Sequence, residues 1–575
     1  MTRDIVVRIA GEGGEGVIST GELLTKAMAR ASLHVFAFQS YPAEIKGGPA
    51  MFQVRAAPWQ LLSHGERADV LVAFNREAWD LHHDVLKPDG MLLHDAADEV
   101  PGTNGLFRQA VPLTEIASKQ VGSKISKNVV ALGAVGRLVG VPFDALESVV
   151  RDKWARKGED VVSKNLQALA AGYRFMEEEA PTLVWAIDAR RGGRRIVIRG
   201  NQAIALGAIA AGCRYYAGYP ITPASDILEW MANVLPRFGG VVLQTEDEMA
   251  ALASCIGASY AGKKAMTASS GPGISLMTEF IGFAAMAEIP VVIVDAQRGG
   301  PSTGMPTKTE QSDLNLAVFG GHGDAPRIVL APANVEDCFS TTARAFELAE
   351  KYQTPVIVLT DQYLAQRAES VPYPDLNSLE QVERALPSAE ELQNGYRRYR
   401  LTESGVSPMA VPGMPDGLYV AEGLEHDEAG HPNLSPANHA KMTHKRHRKL
   451  QLAAAEKGFV RRYGAPAAAI GVLGWGSTLG PICEAVAEAE AAGVPVAALH
   501  TNMVYPLPDA EVRPFVESVQ TLLVPELNYT GQFAQILRAR YRTPIEQLNK
   551  VEGLPFSSTE ILQKILELAD GQECR

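Results

Sequence analysis

The sequence predicts an α/β chain of three domains with mostly parallel sheets. Its 575 residues exceed what one hydrophobic core supports, so three or four domains are expected. Short apolar runs recur between helical patterns, as buried parallel strands do. A proline-rich stretch (Pro372, Pro374, Pro387, Pro408, Pro412, Pro415) separates the last of these alternating segments from the rest.

The first segment spans residues 1–185. It opens on the strand-like Ile5–Ile9 and contains Val70–Phe74 and Met91–His94, both apolar enough to be covered on two faces. Residues 186–196 include Arg190-Arg191-Gly192-Gly193-Arg194-Arg195, read as a solvated linker or an anion-facing loop. The second segment, 197–370, has strands at Ala265–Ala268, Val291–Val294, Arg327–Leu330 and Val356–Leu359. Between the last two, Asn334 is placed to cap a helix with Glu336 and Asp337 in its first turn. Residues 371–459 form a connector. It carries Glu425-His426-Asp427 and the basic run His444–Lys449, read as a surface or subunit-contact segment because the histidines lack metal-ligand spacing. Residues 460–575 hold strands at Ala467–Leu473, Pro495–Leu499 and Thr521–Val524.

A net charge of −12 disfavours nucleic acid or an anionic membrane as the main partner. No apolar run is long enough to span a bilayer, and no signal peptide is visible, so a cytoplasmic protein is expected. The five cysteines (213, 255, 338, 483, 574) form no C-x-x-C pair. Neither a disulfide framework nor a resident iron–sulfur cluster is expected.

After the first strand, Gly11, Gly13 and Gly16 match G-x-G-x-x-G, with Gly14 between them. Such a loop permits close backbone approach to a phosphate. A nicotinamide site also needs an acid near the end of the second strand. The predicted strand His34–Phe38 ends in Gln39-Ser40, and no Asp or Glu occurs from Ser32 to Ala43. That opposes a nicotinamide dehydrogenase and leaves another phosphate compound or a tight βα turn. Lys46 precedes the turn Gly47-Gly48-Pro49.

Four later pieces each follow a predicted strand. Tyr219-Pro220-Ile221-Thr222-Pro223 turns into a helix that Thr222 or Ser225 could cap. Glu246-Asp247-Glu248 precedes a helix of small residues, against which a flat ring could pack. Ser269-Ser270-Gly271-Pro272-Gly273 offers hydroxyls and amides at a strand end, where ligands bind in parallel sheets. Arg298, at the end of an apolar strand, suits a bidentate pair with a substrate carboxylate.

With these motifs the chain resembles the large subunit of the 2-oxoacid:ferredoxin oxidoreductases, of the type with fused gamma and alpha parts. The resemblance rests on the loop at 11–16, Ile45–Gly48, Tyr219–Pro223, Glu246–Glu248, Ser270–Gly273, Gln297–Gly304, Gly423–Asp427, and Pro525–Asn528 with Gly531-Gln532. It implies a gamma-type domain, a thiamine-diphosphate pyrimidine-binding domain and a transketolase C-terminal-like domain. It further implies thiamine diphosphate shared with a beta subunit that holds the Mg²⁺ and a [4Fe–4S] cluster, with ferredoxin as electron acceptor, coenzyme A as co-substrate and an (αβ)₂ heterotetramer.

Under the resemblance, Glu248 is the carboxyl beside the pyrimidine nitrogen, with Glu246 as the alternative. Pro220, Ile221, Ser270 and Gly271 line the cofactor. Thr222 and Arg298 hold the 2-oxo acid's carboxylate end, and the loop Gly11, Gly13, Gly14, Gly16 lies near coenzyme A. Lys46 faces the far end of the substrate, and a cation there suits a second carboxylate. The expected reaction is therefore conversion of 2-oxoglutarate to succinyl-CoA, in either direction. The alternatives are a pyruvate- or branched-chain-specific member and a non-catalytic scaffold subunit.

Overall fold

The computed structural model describes residues 4–40, 47–100, 107–179 and 195–573. Lys46 and Arg190–Arg194 lie outside the described residues. The chain forms two compact units, one of residues 1–198 with 366–373 and one of 199–365 with 374–575.

The first unit is built on one eight-stranded sheet. Its strands are β1 (Ile5–Glu12), β2 (His34–Ser40), β3 (Pro49–Ala57), β4 (Ala68–Ala73), β5 (Leu86–Asp95), β6 (Phe107–Val111), β7 (Arg195–Arg199) and a late arrival, β14 (Ala368–Pro372). The order is β6-β5-β4-β1-β3-β2-β14-β7. β6, β5, β4 and β1 run parallel, whereas β3 is antiparallel to both β1 and β2. One face packs Val7, Ile9, Val70, Val72 and Leu93 under the helices Val17–Arg30 and Lys127–Leu138. The other face covers Val6, Leu71 and Leu92 with Trp79.

The antiparallel turn at β2–β3 gives a second, independent reason against a nicotinamide site. A dinucleotide fold sets its second strand directly beside the first, and here the antiparallel β3 stands between β1 and β2.

The second unit contains two sheets. One has the order β18-β12-β13-β11-β10-β8-β9, with β8 (Tyr215–Gly218), β9 (Val241–Gln244), β10 (Ala265–Ser269), β11 (Val291–Gln297), β12 (Ile328–Leu330), β13 (Pro355–Asp361) and β18 (Met503–Tyr505). The other has the order β15-β17-β16-β19-β20, with β15 (Val460–Gly464), β16 (Ile470–Trp475), β17 (Val496–Thr501), β19 (Thr521–Glu526) and β20 (Ile545–Asn549). Among the described residues, antiparallel pairing within these two sheets is confined to the outer strands β18 and β15. Three mostly parallel α/β sheets therefore stand as the composition and patterning predict.

The expected boundaries at 186–196, 370 and 460 need correction. Arg195, assigned to a linker, opens β7 of the first sheet, and residues 368–372 return to that sheet beside β2. The segment 460–575 is not separate from 199–365. It gives β18 to the other sheet, and Trp475, Leu499 and Phe533 share one core with Ile274, Ile293 and Leu314.

The basic run is also not a surface segment throughout. It lies in the helix Pro436–Ala453, which buries Lys445, Arg446 and Lys449. Glu288 is fully buried and takes Lys445 Nζ at 2.6 and 2.7 Å and also Lys449 Nζ, while Arg398 donates to its carbonyl at 2.7 Å. Arg446 grips Glu425 with two bonds of 2.8 and 3.1 Å. Buried charges persist only when paired in this way.

Candidate active site

Strands β11, β10, β8 and β9 are neighbours and run parallel, so their carboxyl ends lie along one edge of the sheet. That edge collects the four loops at 219–223, 246–248, 270–273 and 298–304.

The turn after β8 leads into the helix Ser225–Val234. Its capping position is Ala224, and no side chain caps it. Neither Thr222 nor Ser225 has the capping task the sequence allowed, so the Thr222 hydroxyl is not committed to the helix. The Thr222 carbonyl accepts a 2.7 Å bond from Arg298 Nη1, which ties the first loop to the fourth across 76 residues. Pro220 is exposed and Ile221 half-buried.

The three acids after β9 separate by environment. Glu246 is exposed. Asp247 caps the helix Glu248–Tyr260, accepting from the Ala250 amide at 2.7 Å. Glu248, the first residue of that helix, is 6% exposed. A Cβ built on Gly273 would lie 2.7 Å from both Cγ and Oε1 of Glu248 and 2.1 Å from Ser269 Oγ. The bare backbone of Gly273 thus makes the room in which the Glu248 carboxyl sits.

The loop after β10 opens the helix Gly271–Met286. Ser269 and Ser270 are fully buried, and their hydroxyls have no hydrogen-bond partner among the described residues. Arg298 is 7% exposed, and its Nε likewise has no partner among them. Burial lowers its pKa, and nearby Asp313 opposes the shift. Unpaired buried donors and acceptors are costly and demand an explanation. A cluster of them at a strand edge is what a polar ligand would complete.

Two residues here escaped the sequence reading. Asp295, on β11, is fully buried with both oxygens unpartnered among the described residues, and its pKa is raised by burial and by Asp313. Asp313 presents Oδ2 to Gly271, where a built Cβ would lie 2.7 Å away. Burial pushes Asp313 up to about 6, Glu310 adds to the shift, and Arg298 opposes it. A carboxylate inside a run as apolar as Val291–Val294 was a legible signal for Asp295. Asp313 had none, since it approaches only through the fold.

In the first unit, the glycine loop is closed internally. The Glu12 amide donates to Glu15 Oε2 at 2.8 Å, the Gly13 amide to the Gly48 carbonyl at 2.9 Å, and the Glu15 amide to the Glu12 carbonyl at 3.1 Å. Asn75 Nδ2 also binds Glu15 Oε2, at 2.7 Å. Three amides are thus already used, as in a tight βα turn. Gly14, with φ at +105°, is the open point, having nothing within 4 Å of a built Cβ. Glu425 and His426 are structural: Glu425 holds His439 and Arg446, and buried His426 packs against Tyr399 with ring centroids 4.1 Å apart and planes tilted by 48°.

Comparison with known proteins places this arrangement. Residues 206–445 match the family model described as pyruvate flavodoxin/ferredoxin oxidoreductase, thiamine diphosphate-binding, and residues 6–175 match pyruvate ferredoxin/flavodoxin oxidoreductase. The chain is 34% identical to 2-oxoglutarate oxidoreductase subunit KorA of Mycobacterium tuberculosis, over 97% of this chain and 90% of that one. It is 41% identical to 2-oxoglutarate synthase subunit KorA of Methanothermobacter marburgensis, over 64% of this chain and 98% of that one. A solved structure, 2-oxoglutarate:ferredoxin oxidoreductase from Magnetococcus marinus with 2-oxoglutarate, coenzyme A and succinyl-CoA bound, is 41% identical with a TM-score of 0.94, covering 99% of this chain and 100% of that one. The chain belongs to the 2-oxoacid:ferredoxin oxidoreductase family, as a large subunit that carries both the thiamine-diphosphate-binding domain and the gamma-like domain.

Proposed function

We propose that this chain is the large subunit of a 2-oxoglutarate:ferredoxin oxidoreductase, converting 2-oxoglutarate and coenzyme A to succinyl-CoA and CO₂ with ferredoxin as electron acceptor. The observation that carries the reading is the single edge where Glu248, the free hydroxyls of Ser269 and Ser270, and Arg298 meet. The similarity to the Magnetococcus enzyme, whose structure holds 2-oxoglutarate and succinyl-CoA, supports the substrate.

The residues fit thiamine diphosphate. Glu248 is a carboxyl recessed against bare glycine, with neighbouring hydroxyls awaiting partners. Thiamine diphosphate supplies, when bound, a carbon nucleophile for the keto group and a sink for the electrons of decarboxylation. Glu248 holds the proton at the pyrimidine nitrogen. Glu246, exposed to solvent, lacks the recess that task needs. Pro220, Ile221, Ser270 and Gly271 would line the bound cofactor. Arg298, held by the Thr222 carbonyl, offers its free Nε to the substrate carboxylate, and the uncommitted Thr222 hydroxyl adds a second donor. Lys46 pairs with the distal carboxylate and selects 2-oxoglutarate over pyruvate.

The partner in this reading is a beta subunit that contributes the diphosphate and Mg²⁺ contacts and a [4Fe–4S] cluster, in an (αβ)₂ assembly. Gly14 is the point at which the glycine loop approaches coenzyme A. The test is coenzyme A-dependent viologen reduction by the chain purified with its native partner, with 2-oxoglutarate beside pyruvate. Turnover of 2-oxoglutarate is expected. Turnover of pyruvate alone would overturn the substrate, and none with either acid would overturn the catalytic reading.

A further inference from the structure

The loop that follows Arg298 is closed on itself and tied to one buried carboxylate that the reaction as proposed does not use. β11 ends its pairing with β13 at Gln297, opposite Asp361, so Arg298 is the first residue beyond the strand. The Gly299 amide donates to the Lys308 carbonyl at 3.0 Å, and the Gly299 carbonyl accepts from the Met305 amide at 2.8 Å. These two bonds form a neck. Only glycine closes it at position 304, where φ is +55° and a built Cβ would lie 1.9 Å from the Gly299 carbonyl oxygen. Residues 301–305 beyond the neck are exposed, so packing does little to set their shape.

Glu310 supplies a fixed point for this loop. It is 8% exposed and forms no ion pair among the described residues. Its Oε2 accepts from the Gly300 amide at 3.4 Å and from Ser312 Oγ at 3.1 Å. Its Oε1 lies 3.4 Å from the place a Gly299 Cβ would take. The chain on both sides of Glu310 is pinned. The Thr309 amide donates to the Gly553 carbonyl at 3.3 Å, Thr309 Oγ1 to Asp361 Oδ1 at 3.2 Å, and the Gln311 amide to the Leu527 carbonyl at 2.7 Å. A buried carboxylate without a cation is costly, and the main-chain neck already closes the loop without it.

We propose that Glu310 is a positioning residue for Arg298. By holding the Gly300 amide it fixes the main chain two residues beyond Arg298, and with it the place where the guanidinium meets the substrate carboxylate. This rests on Arg298 as the substrate's anchor. The Arg298 guanidinium has one bond of its own, from Nη1 to the Thr222 carbonyl at 2.7 Å. Its main chain is held from two sides, by β11 before it and by the loop after it. Releasing Gly300 leaves one side. An arginine has many rotamers, so a freed main chain lets Nε take poses that miss the carboxylate. The loss falls on binding of the 2-oxo acid and spares coenzyme A.

Variants of the complex with its native partner test this. Glu310→Leu and Glu310→Ala remove the acceptor with and without filling its volume. Each should raise KM for 2-oxoglutarate and lower kcat/KM by up to about 10²-fold, with KM for coenzyme A unchanged. Glu310→Gln keeps an acceptor facing Gly300 and should recover most of the loss. Gly304→Ala opens the same neck from the exposed side and should repeat the KM pattern. A merely structural role would lower kcat through loss of folded enzyme and leave both KM values alone. Hydrogen–deuterium exchange over residues 298–308, measured without substrate, should be faster than wild type in Glu310→Leu and close to it in Glu310→Gln. Unchanged KM for 2-oxoglutarate in Glu310→Leu and Glu310→Ala, or an equal rise in both KM values, would overturn the proposal. Should neither of these fold, Gly304→Ala decides, and an unchanged KM there would overturn it too. A wild-type complex that turns over no 2-oxo acid would instead sink the assigned function, and the exchange measurement would still decide whether Glu310 holds the loop.

Discussion

Replacing Gly273 with alanine adds one methyl group at the point where the Glu248 carboxyl is recessed. The built Cβ would lie 2.1 Å from Ser269 Oγ and 2.7 Å from Cγ and Oε1 of Glu248. Non-bonded carbon contacts settle at roughly 3.5–4.0 Å, so both neighbours must yield. Ser269 can do so by rotating its hydroxyl. Glu248 is anchored in the first turn of its helix and must move its carboxyl by roughly 1 Å to restore contact distance. Overpacking of this kind costs about 1–3 kcal/mol of stability, and a displacement of about 1 Å in a positioned catalytic group costs about 10²-fold in rate. Gly282 on the same helix is the control, since nothing lies within 4 Å of its built Cβ. Gly282→Ala should be neutral or stabilising by about 0.5–1 kcal/mol. The assay is kcat for viologen reduction beside the thermal midpoint of each variant. Gly273→Ala should lose about two orders of magnitude in kcat while remaining folded. Wild-type kcat with a lowered thermal midpoint would refute the claim that this recess positions Glu248 for chemistry.

Three further outcomes are expected. Glu248→Gln should abolish decarboxylation while Glu246→Gln leaves it near normal in the same assay, and the reverse pattern would move the role to Glu246. Lys46→Ala should erase the preference for 2-oxoglutarate over pyruvate, read as the ratio of their kcat/KM values. Glu288→Gln leaves Lys445 and Lys449 without their buried anion and should cost about 3–5 kcal/mol by chemical denaturation. Burial alone would raise the Glu288 carboxyl, but the charges of Lys445, Lys449 and Arg398 hold it well below the usual carboxylate range. Its contribution is therefore full above about pH 4.5 and lost as pH falls, so Glu288→Gln should flatten the acid limb of the stability profile.

Local chemistry explains what could be read before folding. The buried strands are continuous apolar runs, and the helix Val335–Tyr352 begins where Asn334 can bond the Asp337 amide, at 2.8 Å. Among the three acids 246–248, adjacent positions cannot be told apart by composition. Capping geometry takes Asp247 and burial singles out Glu248. Thr222 was ambiguous between cap and ligand for the same reason, and the bare cap at Ala224 removes the first use.

By itself the sequence determined the α/β class, the apolar central strands of the three sheets and the four loops that bear Thr222, Glu248, Ser270 and Arg298. These depend on side-chain period and on residues adjacent in the chain. Only the tertiary structure decided that 368–372 returns to the first sheet, that β18 leaves the last one, that a run of lysines and arginines turns inward to Glu288, and that Asp313 comes to lie against Gly271. Each of these is a pairing between residues far apart in sequence, and its energy comes from desolvation and charge balance that exist only once the partners have met.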